Sequence, residues 1–259
     1  MAMIEVHELT KRYGMATLAV DRLSFSVARG EILGYLGPNG AGKSTTVKML
    51  TGIIRPTSGT IHIHGQDLAK HSISAKACMG YVPESGGLYE SLTAHEFLQL
   101  VGRLYQMEDA LIDRKIREFL KLFSLEEYQR QRLAGFSKGM KQKVLIAAAL
   151  IHNPEIIFLD EPLSGLDANT MLMLKEMLRD LAKQGKTIVY CSHILEVVER
   201  LCQRVIIINA GKIVADAKVE DLKSITAQPS LEGVFKQLTM AEDAAALGRA
   251  FSKVVTERP

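Results

Sequence analysis

The most informative run in the chain is Gly37-Pro38-Asn39-Gly40-Ala41-Gly42-Lys43-Ser44-Thr45. It fits the G-x-x-x-x-G-K-[ST] pattern of a phosphate-binding loop. Its context is the required one. A short apolar run, 31–36, precedes it as a strand, and 45–50 follows as a helix-compatible segment. Glycines let backbone N–H groups curl around phosphate oxygens without Cβ clashes. The N-terminus of the following helix adds partial positive charge. In such a loop Lys43 reaches the β- and γ-phosphates, and Ser44 is placed to hold Mg²⁺.

Upstream of the loop, 4–9 and 23–27 read as strands. Downstream, 59–65 reads as a strand bounded by glycines, with Thr60, His62 and His64 on one face. No third ligand accompanies the two histidines, so this is read as a solvated strand face. Residues 91–152 are mainly helical. Thr93-x-x-Glu96 and Ser124-x-x-Glu127 are capping-box patterns. Phe97, Leu100, Val101 and Leu104 recur at helical intervals. The helix from about Ser137 should stop near Asn153-Pro154, because a residue before proline avoids the helical region.

From 155 onward, strands at 156–159, 187–191 and 205–208 alternate with helices at 169–183 and 194–201. A further strand is expected at 212–215. Apolar strands alternating with helices indicate an α/β fold with a parallel sheet. Met171, Met173 and Met177 fall on one helix and read as core or interface filling. A tail is expected from about Ser224, starting with a loop that contains Pro229. Leu247, Phe251, Val254 and Val255 make a helical stripe in that tail, read as docking on its own domain or as an interface.

The composition narrows the class. The chain has 259 residues, 47% hydrophobic and 24% charged, with a formal net charge of +3. These ordinary globular values exclude a disordered chain and a small disulfide scaffold. The weak positive balance supplies no basic footprint, so nucleic acid is not an expected partner. Cys78, Cys191 and Cys202 lack CxxC spacing and fit reduced thiols. No apolar signal-peptide core is visible between Met1 and Gly14. The longest apolar run, 144–151, has eight residues, against the roughly 20 needed to span a bilayer. If this protein serves a membrane, another chain makes the crossing.

The strand at 156–159 ends in Asp160-Glu161. After a phosphate loop, such an Asp helps to hold Mg²⁺. The adjacent Glu is placed to polarise water for in-line attack, which is general-base work.

Taken together, these features resemble the ATP-binding subunit of ABC transporters, from Glu5 to about Asp221. Ser164-Gly165-Leu166-Asp167 resembles the D-loop. Ser192-His193 resembles the switch histidine. Phe136-Ser137-Lys138-Gly139-Met140 occupies the place of the signature motif. Tyr13, in Lys11-Arg12-Tyr13-Gly14, resembles the aromatic that stacks on adenine. The resemblance implies a phosphate-loop NTPase core, an N-terminal antiparallel β subdomain and a helical signature subdomain. It places the cassette in residues 1–223, the helical subdomain at about 85–150 and a helical tail at 224–259.

Two positions depart from the commonest family pattern. Lys138 and Met140 alter the usual L-S-G-G-Q signature, while Ser137 and Gly139 remain. Glu84, in Tyr81-Val82-Pro83-Glu84, stands in the slot of the Q-loop glutamine, where a carboxylate can still reach Mg²⁺. This combination is similar to cassettes of the ABC-2 exporter type.

The resemblance implies a mechanism. Two copies bind head to tail with two MgATP between them. Each ATP meets Lys43, Ser44 and Asp160 of one copy and Ser137 and Gly139 of the other. Glu84 and Asp167 border the same nucleotide. Glu161 activates water, and His193 holds the γ-phosphate. A membrane permease is the partner, reached near residues 85–135, so the chain would lie on the cytoplasmic face of the membrane. A soluble ABC ATPase acting on ribosomes or DNA is disfavoured by the single cassette, the lack of a long heptad insert and the lack of a basic tail. A phosphate-loop kinase would need an acceptor pocket and lid in place of the signature and the switch histidine.

Overall fold

The computed structural model describes residues 2–14 and 17–239. In chain order the elements are β1 (Ala2–Tyr13), β2 (Thr17–Ala28), β3 (Ile32–Leu36), α1 (Lys43–Leu50), β4 (Ser58–Ile63), β5 (Gln66–Asp67), α2 (Ser72–Ala77) and β6 (Met79–Val82). Then follow α3 (Ala94–Leu104), α4 (Asp109–Leu122), α5 (Lys138–Leu150), β7 (Ile156–Asp160), α6 (Ala168–Lys183) and β8 (Thr187–Cys191). The described part closes with α7 (Leu195–Leu201), β9 (Arg204–Asn209), β10 (Lys212–Lys218), α8 (Val219–Thr226) and α9 (Leu231–Thr239).

The strands form two sheets. A four-stranded antiparallel sheet has the order β2-β1-β4-β5, and a six-stranded sheet has the order β10-β9-β3-β8-β7-β6. In the larger sheet β9, β3, β8, β7 and β6 run parallel, and β10 joins antiparallel at one edge. This is the expected α/β core with an antiparallel β subdomain. Strands β3, β7 and β8 are buried at every residue. Both faces of the parallel sheet are therefore covered, which is why these strands read as continuous apolar runs.

Alternate residues feed opposite cores. Ile156 and Phe158 pack with Val6, Val20, Val47 and Met49 from the antiparallel sheet and α1. Ile157 and Leu159 pack instead with Val144, Ile146, Leu174 and Val198 from α5, α6 and α7. The core over that second face continues into α3 and α4 through Leu98, Ile112 and Ile116.

Several local expectations need correction. His64 does not share the strand face of Thr60 and His62. It sits in the turn after β4 with φ 52, and its Nε2 lies 3.7 Å from Glu155. Thr93 does form a capping box with Glu96. Ser124 does not start a helix: with φ 55 it lies just beyond α4, and the turn after it is a short 3₁₀ segment without a side-chain cap. The helix expected from Phe97, Leu100, Val101 and Leu104 forms as α3; its buried face is Ala94, Phe97, Leu98 and Gly102, Val101 packs partly buried against the core, and Leu100 and Leu104 are exposed. Ser224 lies inside α8, so the loop expected there starts only at Ala227.

Helix α9 packs on its own domain. Leu231 and Val234 are buried, and the Leu231 N–H donates to Glu199 Oε2 at 3.0 Å. Met171, Met173 and Met177 pack against the core as partly buried side chains. The stripe Leu247, Phe251, Val254 and Val255 lies outside the described residues. Among the described residues no helix is long and apolar enough to cross a membrane.

Candidate nucleotide site

Four parallel strands deliver their C-terminal ends to one place. Strand β3 leads into the glycine loop and α1. Strand β6 leads through Pro83 to Glu84. Strand β7 ends at Asp160, and β8 leads to Ser192 and His193. Ligands of open α/β sheets bind at this carboxyl edge, where the connecting loops diverge. Here the loops enclose a cleft of about 560 Å³.

Asn39, Gly40, Gly42, Lys43, Ser44, Thr45, Glu84, Asp160, Glu161 and His193 all line this cleft. Gly37 and Ala41 belong to the same loop. Gly42 caps α1 at φ 106, and a Cβ there would stand 2.4 Å from the Ala19 carbonyl oxygen. Only glycine meets both demands. No side chain caps this helix. Lys43 Nζ donates to the Gly37 carbonyl at 2.6 Å and to the Pro38 carbonyl at 3.1 Å.

The acids face Lys43 across the cleft. Burial pushes the Asp160 carboxyl up to about 6, with the Glu84 carboxylate adding to the rise and the Ser44 hydroxyl opposing it. Glu161 is held from several sides. Its N–H donates to the Cys191 carbonyl at 2.9 Å, and its backbone is left-handed at φ 51. That conformation is unfavourable for a side chain with a Cβ and persists only when the surroundings enforce it. Glu161 Oε1 accepts from the His193 N–H at 2.8 Å and lies 2.8 Å from His193 Nδ1. Glu161 Oε2 accepts from the Ser192 hydroxyl at 3.2 Å.

Four expected site residues lie elsewhere. Tyr13 is 46% exposed near the end of β1, with Lys11 Nζ 5.2 Å from its ring centre. Ser137 caps α5, its hydroxyl accepting from the Met140 N–H at 3.2 Å. Gly139 abuts the loop before α6: a Cβ there would stand 2.3 Å from the Gly165 carbonyl oxygen. Asp167 caps α6, accepting from the Thr170 N–H at 2.9 Å and from its hydroxyl at 2.6 Å. The Thr170 hydroxyl first, then the Thr170 N–H, holds the Asp167 carboxyl well below the usual carboxylate range. Ser137, Gly139 and Asp167 thus form one edge, separate from the Lys43 cleft.

Two residues escaped sequence reasoning. Ala19 lines the cleft from β2, and Ser192 bonds Glu161. Alanine carries no chemical signal, and Ser192 was notable only as the neighbour of His193.

The ABC transporter family profile matches residues 20–164, more than half of the chain. The chain belongs to the ABC transporter family. It is an ATP-binding subunit of that family and an ABC ATPase. It is 39% identical over 218 residues to the ABC transporter ATP-binding protein NatA of Bacillus subtilis, covering 84% of this chain and 89% of that one. It is 38% identical to the Nod factor export ATP-binding protein I of Ralstonia nicotianae, covering 85% of this chain and 68% of that one. Among solved structures, an ATP-binding subunit of an ABC transporter superposes with a TM-score of 0.86 at 34% identity, covering 92% of this chain and all of that one. A dimeric ATP-binding cassette in a post-hydrolysis state with ADP and Pi has a TM-score of 0.77 at 28% identity. That match covers 83% of this ABC ATPase and 98% of the other chain.

Proposed function

We propose that this cassette is the motor of an ABC-2 type exporter, working as a head-to-tail homodimer on the cytoplasmic face of a membrane permease. The observation that carries the proposal is the convergence of Lys43, Ser44, Asp160, Glu161 and His193 on one cleft. Lys43 and the loop N–H groups take the β- and γ-phosphates of ATP, and Tyr13 stacks on adenine. Glu161 accepts a proton from water as the water oxygen bonds to the γ-phosphorus and the bond to the β-phosphate oxygen breaks. His193 orients Glu161 and the γ-phosphate. Ser137 and Gly139 of the second copy close over the γ-phosphate, with Asp167 beside them, so ATP joins the two copies.

The oxygen donors of the cleft fit Mg²⁺. Glu84, Asp160 and Ser44 line one cleft, and the Ser44 hydroxyl opposes the rise of the Asp160 carboxyl. Among the described residues no cluster of three or more His, Cys, Asp or Glu could hold a metal by itself. Mg²⁺ is held by one or two carboxylates plus substrate phosphates and water. Ser44, Asp160 and Glu84 would hold it, and when bound it neutralises phosphate charge.

Export is supported by relatives whose names describe Nod factor export. The permease is assigned to a groove of about 560 Å³ beside β6, between α3 and the end of α1. Its wall is apolar, with Ile53 and Leu104 exposed, and its charged lining residues among those described are Lys48 and Lys76. The occupant is a short cytoplasmic helix of the permease with one apolar face and an acidic residue.

The test is Glu161→Gln. It should keep MgATP binding and lose roughly 10²- to 10⁴-fold in turnover. Tagged and held in MgATP, it should co-purify from native membranes with a multi-span protein, and reversing Lys48 and Lys76 to Glu should release that protein. Near-normal hydrolysis overturns the assignment of Glu161. Ribosomal proteins or nucleic acid as the only partners overturn the transport assignment.

A further inference from the structure

Strands β7 and β8 pair in parallel with Asp160 opposite Cys191. The next residue of each strand, Glu161 and Ser192, therefore leaves the sheet side by side. Ser192 is 3% exposed. Its oxygen accepts from the Ile194 N–H at 3.1 Å. That bond uses a lone pair and leaves the single hydroxyl proton for Glu161 Oε2, 3.2 Å away. The other carboxylate oxygen, Oε1, takes the His193 N–H at 2.8 Å. The two oxygens are thus fixed by two neighbouring residues of one turn.

We propose that Ser192 is a positioning residue for hydrolysis: its buried hydroxyl fixes the rotation of the Glu161 carboxylate. The proposal rests on Glu161 being the general base. The His193 N–H and Nδ1 both meet Oε1, which leaves the carboxylate free to turn about that oxygen, and the Ser192 hydroxyl on Oε2 removes that freedom. The backbone at Glu161 is already confined at φ 51, so side-chain rotation is the remaining variable. Oε1 is already met by the His193 N–H and Nδ1, whereas Oε2 keeps a second lone pair, so anchoring leaves Oε2 able to accept a proton from water. Ser192 touches neither phosphate nor water in this scheme. It acts through Glu161.

The experiment compares steady-state hydrolysis of MgATP by the full chain and by Ser192→Ala, Ser192→Cys and Ser192→Thr, each checked for native circular dichroism. Ser192→Cys keeps the size of the side chain and substitutes a weak S–H donor. Ser192→Ala and Ser192→Cys should both lower kcat roughly ten-fold, the scale of one hydrogen bond to a charged group, with KM for ATP unchanged. Ser192→Thr, which keeps the hydroxyl, should recover most of the rate. In a Glu161→Gln background Ser192→Ala should remove nothing further from the residual single-turnover rate. An unchanged kcat in Ser192→Cys overturns the proposal, as does an equal fold-loss in the Glu161→Gln background. A loss through KM alone overturns it too, because it would place Ser192 in binding. If Glu161→Gln itself hydrolyses normally, the assignment of the base has failed and not only that of Ser192.

Discussion

Helices α1 and α5 both present N-termini at the surface of the cassette, and the two are finished differently. Helix α1 starts from Gly42, with no side-chain cap, inside a cleft that also holds Lys43. Its first N–H groups are left to whatever enters the cleft, the arrangement that suits an anion. Helix α5 starts from Ser137, whose hydroxyl already serves the Met140 N–H, on an exposed edge beside Gly165. One N-terminus is built into a site by its own chain. The other is satisfied locally, and the head-to-tail dimer proposed above would bring it to a phosphate of the second copy.

The contrast is easiest to break at Lys43. Lys43→Ala should weaken ATP binding by roughly 10²-fold or more, the scale of deleting one partner of a desolvated charge pair. Isothermal titration with ATP reads this directly, and near-normal affinity would remove α1 from the binding site. Ser137→Arg should leave ATP affinity of the single copy intact while suppressing hydrolysis. Mixing Lys43→Ala with Ser137→Arg protein then separates the roles of the two helix ends. In a head-to-tail pair one of the two sites would combine intact Lys43 with intact Ser137, so hydrolysis should partly return. A mixture as inactive as its components would place both helix ends in the same copy's site.

Smaller effects separate capping from binding. Ser137→Ala should cost about 1 kcal/mol in urea unfolding, as loss of an N-cap does, even in a protein with no nucleotide added. The smallest expected effect is at α3. The Thr93 N–H first, then the Thr93 hydroxyl, holds the Glu96 carboxyl below its usual value. A lowered folded pKa contributes stability that is present above the unfolded value, about 4.3, and lost as pH falls through the folded one. Glu96→Gln should therefore destabilise the protein slightly at pH 7 and by less at pH 3. An equal penalty at both pH values would show that the capping box acts without its charge.

Legibility in the sequence followed how local each pattern is. The loop around Lys43, the pair Asp160-Glu161 and the box Thr93–Glu96 are each complete within a few consecutive residues. The misreadings arose where one local pattern fits two structures. Ser124-x-x-Glu127 satisfies the spacing of a helix start, yet Ser124 adopts the left-handed backbone that follows a helix end. On α3 the spacing of Phe97, Leu100, Val101 and Leu104 marks the helix correctly but not its buried face: a stripe through Phe97, Leu100 and Leu104 and one through Ala94, Phe97 and Leu98 are both helical. Packing against Ile112 and Ile116 of α4 favours the second. Tertiary contact overrides periodicity there because a short helix carries apolar residues on more than one face.

The phosphate loop, the parallel α/β core and the order of the motifs are all readable from the linear chain. These depend on glycine's backbone freedom, on runs of buried strand and on capping, all of which act between near neighbours. Which motifs meet depends on contacts between distant segments. The register that sets Asp160 beside Cys191 brings Ser192 to Glu161, and the carboxyl edge of the sheet brings Glu84 and His193 to Lys43. The same packing keeps Ser137 and Asp167 outside that cleft. The physical reason is that a strand's register and a helix's facing are fixed by contacts between segments far apart in the chain, and no spacing within one segment encodes them.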